Sequence, residues 1–294
     1  MTLKTFEQKN IVLFSSVILC LLIINFALPG LLSEGLAYII LLTGFLLIGF
    51  PHGALDYELA KKIGLASDLK SKTIFLTAYT LLAAAFFGLW IIMPVIAFTI
   101  FLLFTIYHFS EDWHIKNHSL SLSLMMGTLF LALPTILHKD IVSDIFSALV
   151  PEQAALFIVE GLYYMALLLI PASFLLKIIQ KDFDFFRWIQ YGAFIAAGIF
   201  LHPLYFLFCY FCLFHSSRHF KELYDFLEFQ TLTHAFIKIT PIMVASLLAV
   251  ILILFYREAL FSNQNLFYSS ILAIAAMTIP HMILIEYAKK TAGL

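Results

Sequence analysis

Ten histidines are spread through the 294 residues, and six of them fall in four short polar segments set in apolar sequence. His52 lies in GFPHGALDYE, His108 and His114 in YHFSEDWH, His215 and His219 in HSSRH, and His281 in IPHMILIE. Neutral imidazole is the commonest protein ligand for transition metals. His215 and His219 are at i and i+4, one above the other on one helix face, so two ring nitrogens can reach one ion. His52 and Asp56 share that spacing, as do His108 and Asp112, and Glu111 follows His108 by three residues. A carboxylate one turn from a ligand can accept the hydrogen bond of the other ring nitrogen, which fixes the tautomer and offsets metal charge. Imidazole suits zinc, copper, iron or nickel, so the spacing leaves the metal open. His118, His138 and His234 sit beside helix ends among polar residues and His202 in a tight turn, where solvated or interfacial roles are expected. Cys209 and Cys212 form a C-x-x-C inside an apolar aromatic run, with no second pair for zinc and no βαβ pattern for redox chemistry, and read as small apolar residues of a helix.

The elements that must position these groups are membrane helices. Hydrophobic residues make up 63% of the chain and charged residues only 12%, against about 25% charged in a soluble domain. A net charge of -1 removes the electrostatic case for a nucleic-acid partner. Roughly 20 apolar residues cross a bilayer. On that basis the chain offers about ten spans, at 11–28, 36–58, 74–92, 94–114, 119–137, 153–177, 185–201, 203–221, 236–256 and 266–287. Tight turns are required at Met93 and Pro94 and at His202 and Pro203, and 141–150 is too short to span and is expected at the interface. The stretch 11–28 is as long as a spanning helix and lacks a clear A-x-A cleavage site, so it reads as a retained helix and not a signal peptide.

Lysine and arginine set the orientation. With both termini inside, only Lys139 and Arg257 of the 17 cationic residues fall outside. The fold expected is therefore an all-α, polytopic transmembrane bundle, N-in and C-in, with residues 1–294 as a single integral membrane domain in the cell inner (plasma) membrane. The four histidine motifs then lie near the cytoplasmic ends of the second, fourth, eighth and tenth spans. Ionisable groups at membrane depth are costly and face a bundle interior, so four motifs at one depth point to one shared metal site. Pro51, flanked by Gly49 and Gly53, is expected to interrupt the second helix.

PHGALD at 51–56, YHF at 107–109, HSSRH at 215–219 and PHM at 280–282 resemble, in order and approximate spacing, the signature segments of the Brp/Blh family of membrane β-carotene 15,15'-dioxygenases. The resemblance extends from about Gly49 to Glu286; PHGALD and HSxRH are its specific parts. It implies an Fe(2+) enzyme that cleaves the central double bond of β-carotene with O2 to give two molecules of retinal for a rhodopsin. Carried over, His52, His108, His215 and His219 are the iron ligands, and His281 is a further ligand, a supporting group or a contact to oxygen or substrate. Asp56, Glu111 and Asp112 are available to balance the charge. Family members commonly read PHGALDH, whereas Tyr57 follows Asp56 here, one residue off the face shared by His52 and Asp56. Among the abundant aromatic residues, Trp113, Tyr210, Phe211 and Phe214 are the expected substrate contacts by their nearness to the motifs. Partners are thus β-carotene, O2 and membrane lipid. Two other readings use the same histidines. A fatty-acid desaturase or carotenoid hydroxylase would need more HxxxH and HxxHH boxes than the single HxxxH present, and a metal transporter would need polar groups in the outer half as well.

Overall fold

The computed structural model of the chain describes residues 3–28, 30–114, 120–181, 183–256 and 263–293. His118 and two of the cations used for orientation, Lys116 and Arg257, lie outside them. Every regular element among the described residues is a helix, and none is a strand. That follows from composition: in lipid the backbone must satisfy its own polar groups, and a helix does so within one segment.

Six helical stretches are long and apolar enough to cross a membrane: Thr5–Ala27, Glu34–Lys62, Leu69–Ile92, Pro94–Trp113, Glu152–Ile179 and Leu266–Ala292. A seventh arises if Leu120–Ile136 and Lys139–Ser147, which are bent by 110° at their junction, count as one span. The other expected spans are helical but shorter or irregular. Phe185–Phe200 has 16 residues, the helical run from Pro203 to Phe226 changes type twice, and Leu232–Tyr256 is a 25-residue helix with Pro241 inside it. The expected tight turns are present: Leu69–Ile92 gives way to a helix starting at Pro94, and Phe185–Phe200 to one starting at Pro203. Proline suits the first helical position because its missing N–H would have no intrahelical partner there.

Packing divides the chain into two compact units, one of residues 1–41 and 98–215, the other of 42–97 and 216–294. Neither is a continuous stretch of sequence. In the first unit, helix Leu3–Ala27 packs on Phe185–Phe200, and Leu120–Ala132 and Lys139–Ser147 both pack on Glu152–Ile179. Gly127 lets two backbones meet, since a Cβ there would collide with the Ile106 carbonyl and the Ser110 amide of the helix that carries His108. In the second unit, Asn263–Ala292 packs against both Leu69–Ile92 and Leu232–Tyr256. Ala54, Leu55, Leu59, Leu223, Ile239, Leu284 and Ile285 form its apolar core beside the PHGALD segment.

Two π-helical stretches lie next to the motifs, Phe45–Gly49 and Phe208–Ser216. The helix that carries Pro51 is irregular around it, as expected: the π stretch ends at Gly49, and a turn at Leu55 parts Phe50–Ala54 from Asp56–Lys62, although the run Glu34–Lys62 stays helical enough to cross a membrane. Proline inside an α-helix clashes with the carbonyl four residues back and gives it no N–H. The wider π turn just before Pro51 accommodates that defect.

Candidate metal centre

His52, His108, His215 and His281 are buried, and His219 is mostly so, its side chain 11% exposed. Each unit holds its own group of imidazoles.

In the first unit, the rings of His108 and His215 lie 4.6 Å apart, nearly perpendicular. The His215 Nδ1–H donates to the Asp112 carboxylate, 3.0 and 3.1 Å from its two oxygens. Tyr210 Oη donates to the same carboxylate at 3.0 Å and accepts from Trp113 Nε1–H at 2.9 Å. The π-helix explains how Tyr210 and His215 reach one carboxylate. Residues five apart diverge by about 140° on an α-helix, whereas turns closed i to i+5 bring them to one face. Phe109 meets the His215 ring edge-on at 4.7 Å, and Phe211 stacks on it at 5.9 Å. Glu111 is 3.9 Å from His108 Nδ1.

In the second unit, His52, His219 and His281 form a triangle with ring centroids 5.4 to 5.6 Å apart. The His281 Nδ1–H donates to Asp56, 2.8 and 2.9 Å from its oxygens. Tyr79 Oη donates to the same carboxylate at 2.7 Å. The His52 Nδ1–H donates to the Gly49 carbonyl, at the end of the first π stretch. Glu222 is 3.9 Å from His219 Nδ1.

Asp56 and Asp112 each accept from an imidazole, from His281 and His215, whereas Glu111 lies nearest His108, as its spacing suggests. Asp56 holds His281 and not His52, because a turn at Leu55 separates helix Phe50–Ala54 from Asp56–Lys62 and rotates Asp56 off the His52 face. Asp112 accepts from His215, and it sits in Glu111–Trp113, a 3-10 turn. Such a turn aligns residues three apart, so Glu111 is the acid brought near His108.

Of the expected substrate contacts, Tyr210 and Trp113 are bonded to each other, and Phe214 is fully buried against Phe14, Trp113 and Tyr210. Phe211 keeps one face on His215. His114 and His234 are exposed, and His202 caps the helix that begins at Pro203, accepting from the Leu204 N–H. Cys209 and Cys212 are buried free thiols within the second π stretch, as an apolar role requires. Tyr57 is half-buried under the Lys72 ammonium, 5.1 Å from its ring centre.

With Nδ1–H committed to an oxygen, each of His52, His215 and His281 presents a lone pair at Nε2, the tautomer a metal takes. The Nε2 atoms of His215 and His281 are themselves buried. His52, His108 and His215 are among the residues with the donors to hold a metal ion. Neutral nitrogen donors backed by carboxylates fit a divalent transition metal such as iron.

The sequence matches the beta-carotene 15,15'-dioxygenase family over residues 43–289, a range that contains every motif histidine. The chain belongs to that family. Among curated proteins, it is similar to the beta-carotene 15,15'-dioxygenase of uncultured marine bacterium 66A03, with 27% identity over 253 residues, covering 82% of this chain and 90% of that protein. No solved structure matches significantly. Membership of the dioxygenase family accounts for the joint presence of apolar helices and buried histidines. The sequence does not mark the tyrosines that complete each group: Tyr79 is 23 residues from Asp56 on a separate helix, and Tyr210, expected as a substrate contact, bonds Asp112.

Proposed function

We propose that this chain cleaves the central 15,15' double bond of β-carotene with O2, producing two molecules of retinal inside the membrane. His52, His108, His215 and His219 hold one Fe(2+). The observation that carries the reading is the pair of buried histidines, His215 and His281, each fixed by a carboxylate, within a match to the dioxygenase family over residues 43–289.

Bound Fe(2+) supplies the capacity to bind and activate O2. The rest falls to the protein. Four neutral imidazoles leave the ion's two positive charges uncancelled, and Asp56 and Asp112, which accept hydrogen bonds from imidazoles, balance them without occupying coordination positions. Such a donor set leaves room for oxygen. The aromatic wall contributed by Phe109 and Phe211 keeps water from the His215 ring and offers flat apolar surface to a polyene. Holding one double bond of a long substrate next to the metal is a positioning task, which can supply a large part of a rate enhancement. β-Carotene dissolves in lipid, so an enzyme in the cell inner membrane meets it without extracting it into water. The retinal formed suits a neighbouring retinal-binding rhodopsin.

Expression in cells that make β-carotene tests the activity: the orange colour should fade as retinal appears. The purified protein should contain one iron per chain; two would indicate a dinuclear oxygenase. His215→Ala or His219→Ala should lower iron content and retinal formation at least about 100-fold while the protein still inserts. Retinal formation at the parent rate in either variant would refute the ligand assignment.

A further inference from the structure

We infer that Tyr79 is a positioning residue for the metal: through Asp56 it holds His281 as a nitrogen donor beside His52 and His219. The inference rests on the iron reading above but adds a histidine and a tyrosine that the four-ligand assignment does not use.

Three observations lead to it. The His52, His219 and His281 rings are mutually perpendicular and evenly spaced at 5.4 to 5.6 Å. Three imidazoles sharing one ion through bonds of about 2.1 Å would place their ring centres about 5 Å apart. His281 is buried and bonded through Nδ1 to both oxygens of Asp56, so its Nε2 is the donor side. Asp56 accepts a second bond from Tyr79 Oη, which projects from a separate helix, Leu69–Ile92. A carboxylate held by one donor can swivel about it; a second donor from another helix fixes its plane, and the plane of the carboxylate sets the plane of the imidazole. The same order of groups, tyrosine to aspartate to histidine, recurs at Tyr210, Asp112 and His215, one of the proposed ligands. Two independent constructions of one arrangement argue for a common task and against incidental satisfaction of a buried acid.

The test uses the full chain, purified in detergent, stripped of metal and titrated without oxygen. Fe(2+) affinity is measured directly, and Co(2+) is used as a second probe because its visible absorption reports the donor set. Tyr79→Phe should weaken Fe(2+) binding about 10- to 100-fold, the usual range for removing a group behind a ligand. It should also change the Co(2+) spectrum in the same direction as His281→Ala, with helicity by circular dichroism unchanged. Asp56→Asn provides a second route to the same loss if Tyr79→Phe does not fold. Parent-like affinity and spectrum in the folded Tyr79→Phe protein, whatever its melting temperature, overturn the inference while leaving the iron reading intact. Failure of the unaltered protein to take up iron overturns both.

Discussion

The two units build the same chain of groups by different means. In the first, Tyr210 and His215 lie on one π-helical stretch and reach Asp112 on a neighbouring 3-10 turn, so two elements suffice. In the second, Tyr79, Asp56 and His281 come from three helices, and Asp56 and His281 are 225 residues apart. One arrangement depends on a local irregularity of a helix, the other on long-range packing. The phenols also differ: Tyr210 accepts from Trp113 while it donates, whereas Tyr79 makes its bond to Asp56. A local irregularity is fixed by a few neighbours, so the first group should answer sharply to changes in its immediate packing, and the second to changes in helix docking.

The largest expected effect separates the two carboxylates. Asp112→Asn removes the charge behind a proposed ligand and should weaken Fe(2+) binding about 10- to 100-fold in an anaerobic titration. If His281 is a donor, Asp56→Asn should fall within the same range; an effect confined to Asp112→Asn would make the two groups unequal. Gly127→Ala comes next. Its methyl meets backbone and not a pliable side chain, so it should cost about 1–3 kcal/mol in thermal or denaturant unfolding. The helix carrying His108 should shift with it, so activity should fall more than Fe(2+) binding through His281. Comparison of the two tyrosines is finer. Tyr210→Phe leaves the Trp113 N–H without its acceptor, so it should destabilise the protein by about 1 kcal/mol more than Tyr79→Phe does, in the same unfolding assay.

The smallest effect concerns Asp68, which caps the helix that carries Tyr79. Its carboxylate accepts from the Ser71 N–H at 2.8 Å, and the Ser71 hydroxyl accepts in return from the Asp68 N–H at 3.0 Å. These bonds hold the Asp68 carboxyl below its ordinary range. A depressed carboxylate contributes stability that is complete above the unfolded value of about 3.9 and is lost as pH falls through the lower folded value. The unfolding midpoint of the unaltered protein should therefore fall slightly across that acid window. Asp68→Asn should flatten this small component, and an identical pH profile in the variant would remove the cap's role.

Much of the chemistry was legible because histidines and acids are rare in an apolar chain and stand out by type. Of the six motif histidines, His52, His108, His215 and His281 are buried, His219 is nearly so, and His114 is exposed. Their pairing was not legible. Spacing of i and i+4 assigns Asp56 to His52 and Asp112 to His108 only on a regular α-helix, and the turn at Leu55 and the 3-10 turn at Glu111–Trp113 both break that regularity. Tyr79 looked like one more aromatic in an apolar helix because its partner is set by packing between helices. Hydropathy alone also marks more stretches than the six or seven long apolar helices found among the described residues. Hydropathy marks apolar stretches, but Phe185–Phe200 and the mixed run 203–226 are also apolar where they pack against protein, and their length and geometry set them apart from Leu69–Ile92.

The order in which the chain is made gives the Tyr79 hydroxyl a further use. Translation proceeds at about 5–20 residues per second, so Asp56 precedes His281 by roughly 11–45 s but Tyr79 by only about 1–5 s. During that interval a carboxylate bound for an apolar interior would be without its imidazole. A phenol from the next long helix is synthesised within seconds of the acid and would be at hand as its first partner while the nascent chain inserts. Loss of Tyr79 should thus lower the yield of inserted protein as well as its metal affinity, and that deficit would be greatest where synthesis is slow.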